Sequence, residues 1–272
     1  MTAGTVRSLH RHPLKSALGE EIAHARITGR GLDGDRVRAL LDTATGRVVS
    51  AKNPRLWRAL LTVTARTTPH GIRLLAADGR ELDEAGLTAL LGREVRAVDV
   101  PPPGAELERS VPEEVLDRGA DAEVTSTVHV LGSAAPPGTF FDFAPVHLVS
   151  TATLAALGEG TGTGGPVAAA RYRPNLVVDT PGRRGFPENG WVGRELRIGD
   201  GVRLEVLAAT PRCAVPTLAH GALPRDLEAL RAAARLNRVE PLPGTGPMPC
   251  AGVYARVLAG GTVRRGDAVS LR

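Results

Sequence analysis

Cys213 stands in Thr210-Pro211-Arg212-Cys213, directly after the apolar run from Val202 to Ala209, and is one of two cysteines in 272 residues. A thiol at a strand end beside a guanidinium is a candidate thiolate. The positive charge of Arg212 favours ionised sulfur, the form that both nucleophilic chemistry and soft-metal ligation require. A buried free cysteine, packed as a small hydrophobe, is the competing reading, and residue types alone leave both open. A second signal lies in the bases. Nearly all of the 34 Lys and Arg residues are Arg, and the lysines are Lys15 and Lys52 alone. In so Arg-rich a chain a retained Lys points to a place where a compact ammonium is wanted, for instance against a phosphate.

Other motifs carry less. Gly160-Thr161-Gly162-Thr163-Gly164-Gly165 satisfies G-x-G-x-x-G, but it follows a helix rather than a strand and opens no helix, so it reads as a flexible loop. Leu14-Lys15-Ser16 lacks the glycines of a P-loop. No G-x-S-x-G or H-E-x-x-H occurs and the seven histidines are dispersed, which removes hydrolase and zincin readings. Two isolated cysteines hold neither an Fe–S cluster nor a disulfide framework, and they suit a reducing compartment.

The elements that must position these residues are mostly short strands. The first half predicts strands at Thr5 to His10, Glu21 to Thr28, Val37 to Leu41, Leu60 to Thr67, Gly71 to Leu75 and Glu94 to Val100. A helix capped by Asp83 is expected among them, with Leu87, Leu90 and Leu91 on its apolar face. Pro101-Pro102-Pro103-Gly104 and the acidic residues after it read as a linker, which gives domains of 1–120 and 121–272. The second half predicts strands at Val146 to Val149, Leu176 to Asp179, Leu196 to Ile198, Val202 to Ala209, Val253 to Leu258 and Ala268 to Leu271. Helices are expected at Thr151 to Leu157 and from Asp226 to Arg235, the latter with Leu227, Leu230 and Ala234 sharing a face. The fold class is therefore mainly β with inserted helices, barrel-like, without βαβ alternation.

Several segments, in order, resemble the MOSC proteins, named for the C-terminal domain of molybdenum cofactor sulfurase. Pro13-Leu14-Lys15-Ser16 and Gly31-Leu32-Asp33-Gly34-Asp35-Arg36 are similar to the N-terminal β-barrel module of that family. Asp142-Phe143-Ala144-Pro145-Val146-His147-Leu148, Arg173-Pro174-Asn175, Trp191, Ile198-Gly199-Asp200, Pro211-Arg212-Cys213, Gly252-Val253-Tyr254 and Gly266-Asp267 are similar to the MOSC domain. The resemblance is greatest to the amidoxime-reducing branch. It implies a MOSC β-barrel packed against the N-terminal module, and a molybdenum–pyranopterin cofactor with Cys213 as metal ligand. It also implies cofactor contacts from Lys15, Ser16, Arg36, Arg173, Asn175, Arg212 and, by a weaker match, Thr217. Asp142 would face the metal side and orient a water or substrate. Pyridoxal phosphate binding is associated with the family only at the level of the family. After Cys213 the chain departs from the branch: Ala214-Val215-Pro216-Thr217-Leu218-Ala219-His220-Gly221 replaces a polar, acidic stretch, so substrate identity does not transfer. Cys250 falls where no ligand is expected and reads as structural.

The function implied is an oxidoreductase that removes oxygen from N-hydroxylated or N-oxide substrates, with electrons from a separate electron-transfer protein or reductase. The alternative from another class is a cofactor carrier or sulfur-transfer protein. The net charge of +5 and pI near 10 raise nucleic acid as a partner, but the bases are scattered and only 3% of residues are aromatic, too few for stacking platforms. No apolar run long enough for a membrane span and no apolar leader is visible, so a cytoplasmic protein is expected.

Overall fold

Leu196 and Ile198, then Val202, Leu204 and Val206, are buried at every second position, the period of strands with one face on a core. The computed structural model describes residues 2–162 and 165–272; Thr163 and Gly164 of the glycine-rich motif, and Met1, lie outside the described residues. Seven strands close into a barrel: β1 (Thr2–Arg11), β2 (Val146–Ser150), β3 (Leu176–Asp179), β4 (Glu195–Ile198), β5 (Val202–Pro211), β6 (Met248–Ala259) and β7 (Ala268–Leu271). Around the barrel they run β2, β3, β1, β7, β4, β5, β6, and β6 pairs back onto β2. Only β2 and β3 are parallel, and the segment between them supplies the long crossover such a pair needs. Inward residues including Val6, Leu9, Leu148, Leu176, Leu204 and Val253 fill the interior.

The front segment builds a second core around Leu14, Leu40, Trp57, Leu60, Leu74 and Leu87. Small strand pairs Ala39–Asp42 with Val95–Val98 and Thr64–Thr68 with Gly71–Leu75 cover it. Helix α1 (Glu84–Leu91) packs on it and is capped as expected, the Asp83 carboxylate accepting from Gly86 N at 2.8 Å. Leu87 and Leu91 are buried, whereas Leu90 is exposed. Yet β1 pairs with β3 and β7, so the first strand of the front segment is a stave of the barrel built by the back segment.

Two of the expected elements differ in kind. Arg58–Thr62 is a 3-10 turn rather than the start of a strand, because Leu60 and Leu61 belong to a short apolar run that periodicity does not separate from a buried turn. The residues expected as a linker instead form strand Glu106–Ser110, a helix at Pro112–Arg118 and strand Ser126–Val130, the two strands paired antiparallel.

On the outside of the barrel, α2 (Thr151–Thr161) packs beside α3 (Glu228–Leu236) over Leu154, Leu157, Ala232 and Ala233. Asp226 accepts from Glu228 N at 3.0 Å ahead of α3. The buried face of α3 is Ala229, Leu230, Ala232 and Ala233, rotated from the one expected. No helix among the described residues is long and apolar enough to cross a membrane.

Candidate functional site: a cation-lined cleft

Leu14 and Ala17 are sealed in the front core, and the chain between them offers Lys15 and Ser16 to the barrel. Lys15 is buried, its ammonium donating to the Phe140 carbonyl at 2.9 Å and to Asp142 Oδ1 at 2.6 Å. Lys52 Nζ approaches Asp142 Oδ2 at 3.2 Å. The two lysines of the chain therefore converge on one carboxylate. Burial pushes Lys15 down to about 8, only partly offset by Asp142. Burial alone would raise Asp142, but Lys15 and Lys52 overcome it and hold the carboxyl well below the usual carboxylate range. Asp142 is an acceptor and a counter-charge, not an acid.

Around this pair lies a cleft open to solvent. Lys15, Lys52 and five arginines line it (Arg36, Arg109, Arg171, Arg173 and Arg212), against one carboxylate, Asp142. Arg36 pairs with Asp35, donates to the Arg173 carbonyl at 3.3 Å and lies over the Phe141 ring. Asp35 is buried and also accepts from His12 N at 2.6 Å, so the pair is no surface decoration. Arg173 donates to the Ala17 carbonyl at 2.6 Å, tying the two halves together. Burial and the neighbouring Arg36 push Arg173 down to about 9, so it remains cationic at neutral pH.

Arg212 is buried and donates to the carbonyls of Thr210 and Tyr172 and to His147 Nε2 at 3.0 Å, with no carboxylate among its partners. Because the guanidinium donates to Nε2, the proton of His147 sits on Nδ1, facing the Arg173 carbonyl at 3.4 Å. Burial, then Arg212, lowers His147 well below its ordinary value, so the ring is neutral. Gly252, at φ +80°, makes room: a Cβ there would stand 2.6 Å from His147 Nε2 and against the Leu148 carbonyl.

Backbone conformation singles out the same place. Ser16, Arg36 and Arg173, at φ of 68°, 48° and 54°, are the non-glycine residues with positive φ among those described, and all three line the cleft. Each such conformation costs roughly 1–3 kcal/mol, and it persists where surrounding structure over-determines it. Arg36 N donates to the His12 carbonyl at 2.7 Å, and Ser16 Oγ accepts from Ala51 N at 3.1 Å.

Cys213 follows the end of β5, where Arg212 N donates to the Pro249 carbonyl at 2.8 Å and the Val215–Thr217 3-10 turn begins just beyond. The thiol is half-buried, lines the cleft shared with Lys15 and packs in part against Val215 and Leu218. Cys213, Asp142, Lys15, Ser16, Arg36, Arg173, Asn175 and Arg212 thus meet in one cleft, although they come from both ends of the chain. Asn175 spends its side chain on the barrel, accepting from His147 N at 3.0 Å and reaching the His10 carbonyl, so its place is that of a strut. Thr217 is not brought to the cleft: it is buried and its hydroxyl donates to the Ala214 carbonyl at 2.7 Å. Cys250 is sealed away, burial pushing its thiol up to about 11.

Sequence reasoning did not assign Arg109, Arg171, His147 or Tyr254 to the site. His147 and Tyr254 stand within the family-like segments and were the detectable ones. Arg109 was hidden in the stretch read as a linker, and Arg171 in the turn before Arg173.

The buried Arg212 guanidinium, whose partners are carbonyls and a ring nitrogen, and the half-buried Arg173, bonded to the Ala17 carbonyl, with a half-buried thiol in the same cleft, define an anion-binding site that also offers one soft metal ligand. A phosphate- and sulfur-bearing metal cofactor fits this donor set. The chain belongs to the MOSC-domain proteins: residues 136–270 match the model of the MOSC domain and residues 3–94 that of the MOSC N-terminal beta barrel domain. Domains of this family are in general molybdenum-cofactor-binding. No curated protein matches the chain. Solved structures that match include the YuaD protein from Bacillus subtilis, 11% identical over 100% of this chain and 96% of that one, with a TM-score of 0.46. Another is YiiM from Geobacillus stearothermophilus, 17% identical over 47% and 54%, with a TM-score of 0.34.

Proposed function

We propose that the cleft holds a molybdenum–pyranopterin cofactor and that the protein reduces N-hydroxylated or N-oxide-type substrates, as its resemblance to the amidoxime-reducing branch implies. The observation that carries the reading is the meeting of Cys213 with an ammonium, several guanidiniums and three strained backbone positions in one cleft. Cys213 would ligate the metal. Arg36, Arg173 and Arg212 would hold the phosphate and the polar edges of the pterin, with Ser16 beside them and Asn175 bracing the strands beneath. When bound, the group supplies a redox centre that passes electrons in pairs.

The rest falls to the chain's own side chains. Cleaving one N–O bond consumes two electrons and two protons and releases water. The electrons come from a separate electron-transfer protein or reductase, since two lone cysteines hold no cluster. Asp142, kept ionised by its two lysines, accepts hydrogen bonds from a substrate N–H or O–H and so fixes its orientation. Lys15, at about 8, carries a proton near neutral pH that it can release to a developing amine or hydroxide.

Elemental and pterin analysis of protein made in molybdate-replete cells tests the assignment. Wild type should carry both metal and pterin, Cys213→Ser should lose most of the metal, and Cys250→Ser should keep it. Full metal in the Cys213→Ser protein would sink the ligand assignment. Viologen-driven reduction of a simple N-hydroxy compound then separates reductase from carrier, because loaded protein without turnover belongs to a carrier or sulfur-transfer protein.

A further inference from the structure

Beside the cationic cleft lies a second, solvent-open cavity that shares Lys52, Arg109, Asp142, Pro211 and Tyr254 with it. Its character differs. Leu107 and Val130 come from the paired strands 106–110 and 126–130, Phe143 from the segment ahead of β2, and Leu242 and Met248 from the run into β6. Val130 and Leu242, 67% and 38% exposed, are large apolar side chains left open to water on this concave wall. A concave, mostly apolar surface with a few convergent polar groups is the usual form of a small-molecule site.

Arg109 stands where the two cavities join. On strand Glu106–Ser110 it shares a face with Leu107, while Glu106 and Glu108 fall on the other face and pair with Arg47. The Arg109 guanidinium therefore has no carboxylate on its own side, and among the described residues it makes no side-chain hydrogen bond or ion pair. With Lys52 it leaves the junction positive, since Asp142 is already shared between the two lysines.

We propose that this second cavity is the substrate chamber, and that its occupant is an amphiphilic small molecule with an apolar body and one anionic group. The body lies against Leu107, Val130, Phe143, Leu242 and Met248, and the anion on Arg109, which leaves the reactive end at the Asp142 wall. As the seat of a substrate this rests on the reductase reading; as a ligand chamber it stands on the geometry alone.

Calorimetric titration of the purified protein with butanoate, hexanoate and octanoate, and with the matching primary alcohols, tests it. Affinity for the acids should rise with chain length, by up to about fourfold per methylene buried. Each acid should exceed its alcohol by about two- to fivefold, the gain from one partly exposed ion pair. Arg109→Gln should close the gap between acid and alcohol while keeping the rise with length. Leu242→Asp should flatten that rise, and Val130→Asp, on an exposed strand, should do the same. A wild type without chain-length dependence, or variants that bind as wild type does, would overturn the proposal. Molybdenum and pterin are measured in the same preparations. Their absence beside an intact chain-length dependence defeats the cofactor reading and leaves the chamber standing, whereas loaded protein without the dependence defeats the chamber alone.

Discussion

Lys15 and Lys52 each take one oxygen of Asp142, and this small ion cluster sets the charge of the cleft. Because burial lowers Lys15 to about 8, its proton is lost just above neutral pH, and the cleft then loses this cation ahead of Arg173, which burial and Arg36 bring down to about 9. Anion binding should weaken as pH rises through this range. Sulfate, whose charge is constant over this range, should bind several-fold more tightly by calorimetry at pH 7 than at pH 9, and Lys15→Met should bind more weakly at pH 7 and lose less over the same interval, the remaining loss being that of Arg173. The stability sign is opposite. The folded state holds Lys15 less protonated than the unfolded chain between about 8 and the ordinary 10.5, so the cost of burying its charge is present below pH 8 and relieved as pH rises. Wild type should therefore gain stability relative to Lys15→Met from pH 7 to pH 10, read by urea denaturation; a constant difference would show that Lys15 titrates normally. Much of this site was legible from residue types, since scarce lysines in an Arg-rich chain pointed to a placed ammonium. That the ammonium faces a carboxylate was not legible, because Asp142 lies far along the chain and only the fold brings the two together.

At the scale of elements, the barrel strands and the capping of α1 could be read from alternation and from Asp83, because each signal is local to a few residues. The segment Glu106–Ser110 could not. Its sequence Glu-Leu-Glu-Arg-Ser carries one buried apolar residue, Leu107, and its partner Ser126–Val130 is exposed throughout, so no hydrophobic period marks either strand. Pairing alone makes them strands, and with them Arg109 reaches the cleft. The join between β2 and α2 is another element whose chemistry only packing reveals. Ser150 ends β2, caps α2 by accepting from Thr153 N at 3.0 Å, and donates to Glu188, fully buried, at 2.6 Å. Burial raises the Glu188 carboxyl, and Ser150 offsets part of that cost. Ser150→Ala should therefore lose about 1.5–5 kcal/mol in urea denaturation, the sum of a cap and an unpaired buried acceptor. A loss within error would show that the cap and the buried pair contribute nothing, and would weaken the case that β2 is rigidly held beneath His147.

Across the whole molecule, the cleft exists because the chain's first strand closes a barrel made from its last hundred-odd residues. Strand β1 lies between β3 and β7, and its Val6 and Leu9 are fully inside the barrel core. At Gly4 the approach is so close that a Cβ would overlap the carbonyl of Asp179. Immediately after β1 the chain turns through Lys15 and Ser16 and builds the front core, so the strand that closes the barrel also delivers the ammonium to Asp142. Residues 121–272 expressed alone would therefore have two unpaired edges, β3 and β7, beside an apolar interior open to water. That fragment should be insoluble or lack the dispersed amide spectrum of a folded protein, and a peptide of residues 2–11 added in excess should restore part of the dispersion by filling the gap. Co-expression of residues 1–120 with residues 121–272 should recover both the fold and the anion affinity, since it returns Lys15 as well as the missing stave. A 121–272 fragment that folds by itself and binds phosphate as tightly as the intact chain would show that neither the strand nor the lysine is needed, and that the two cores merely share a chain.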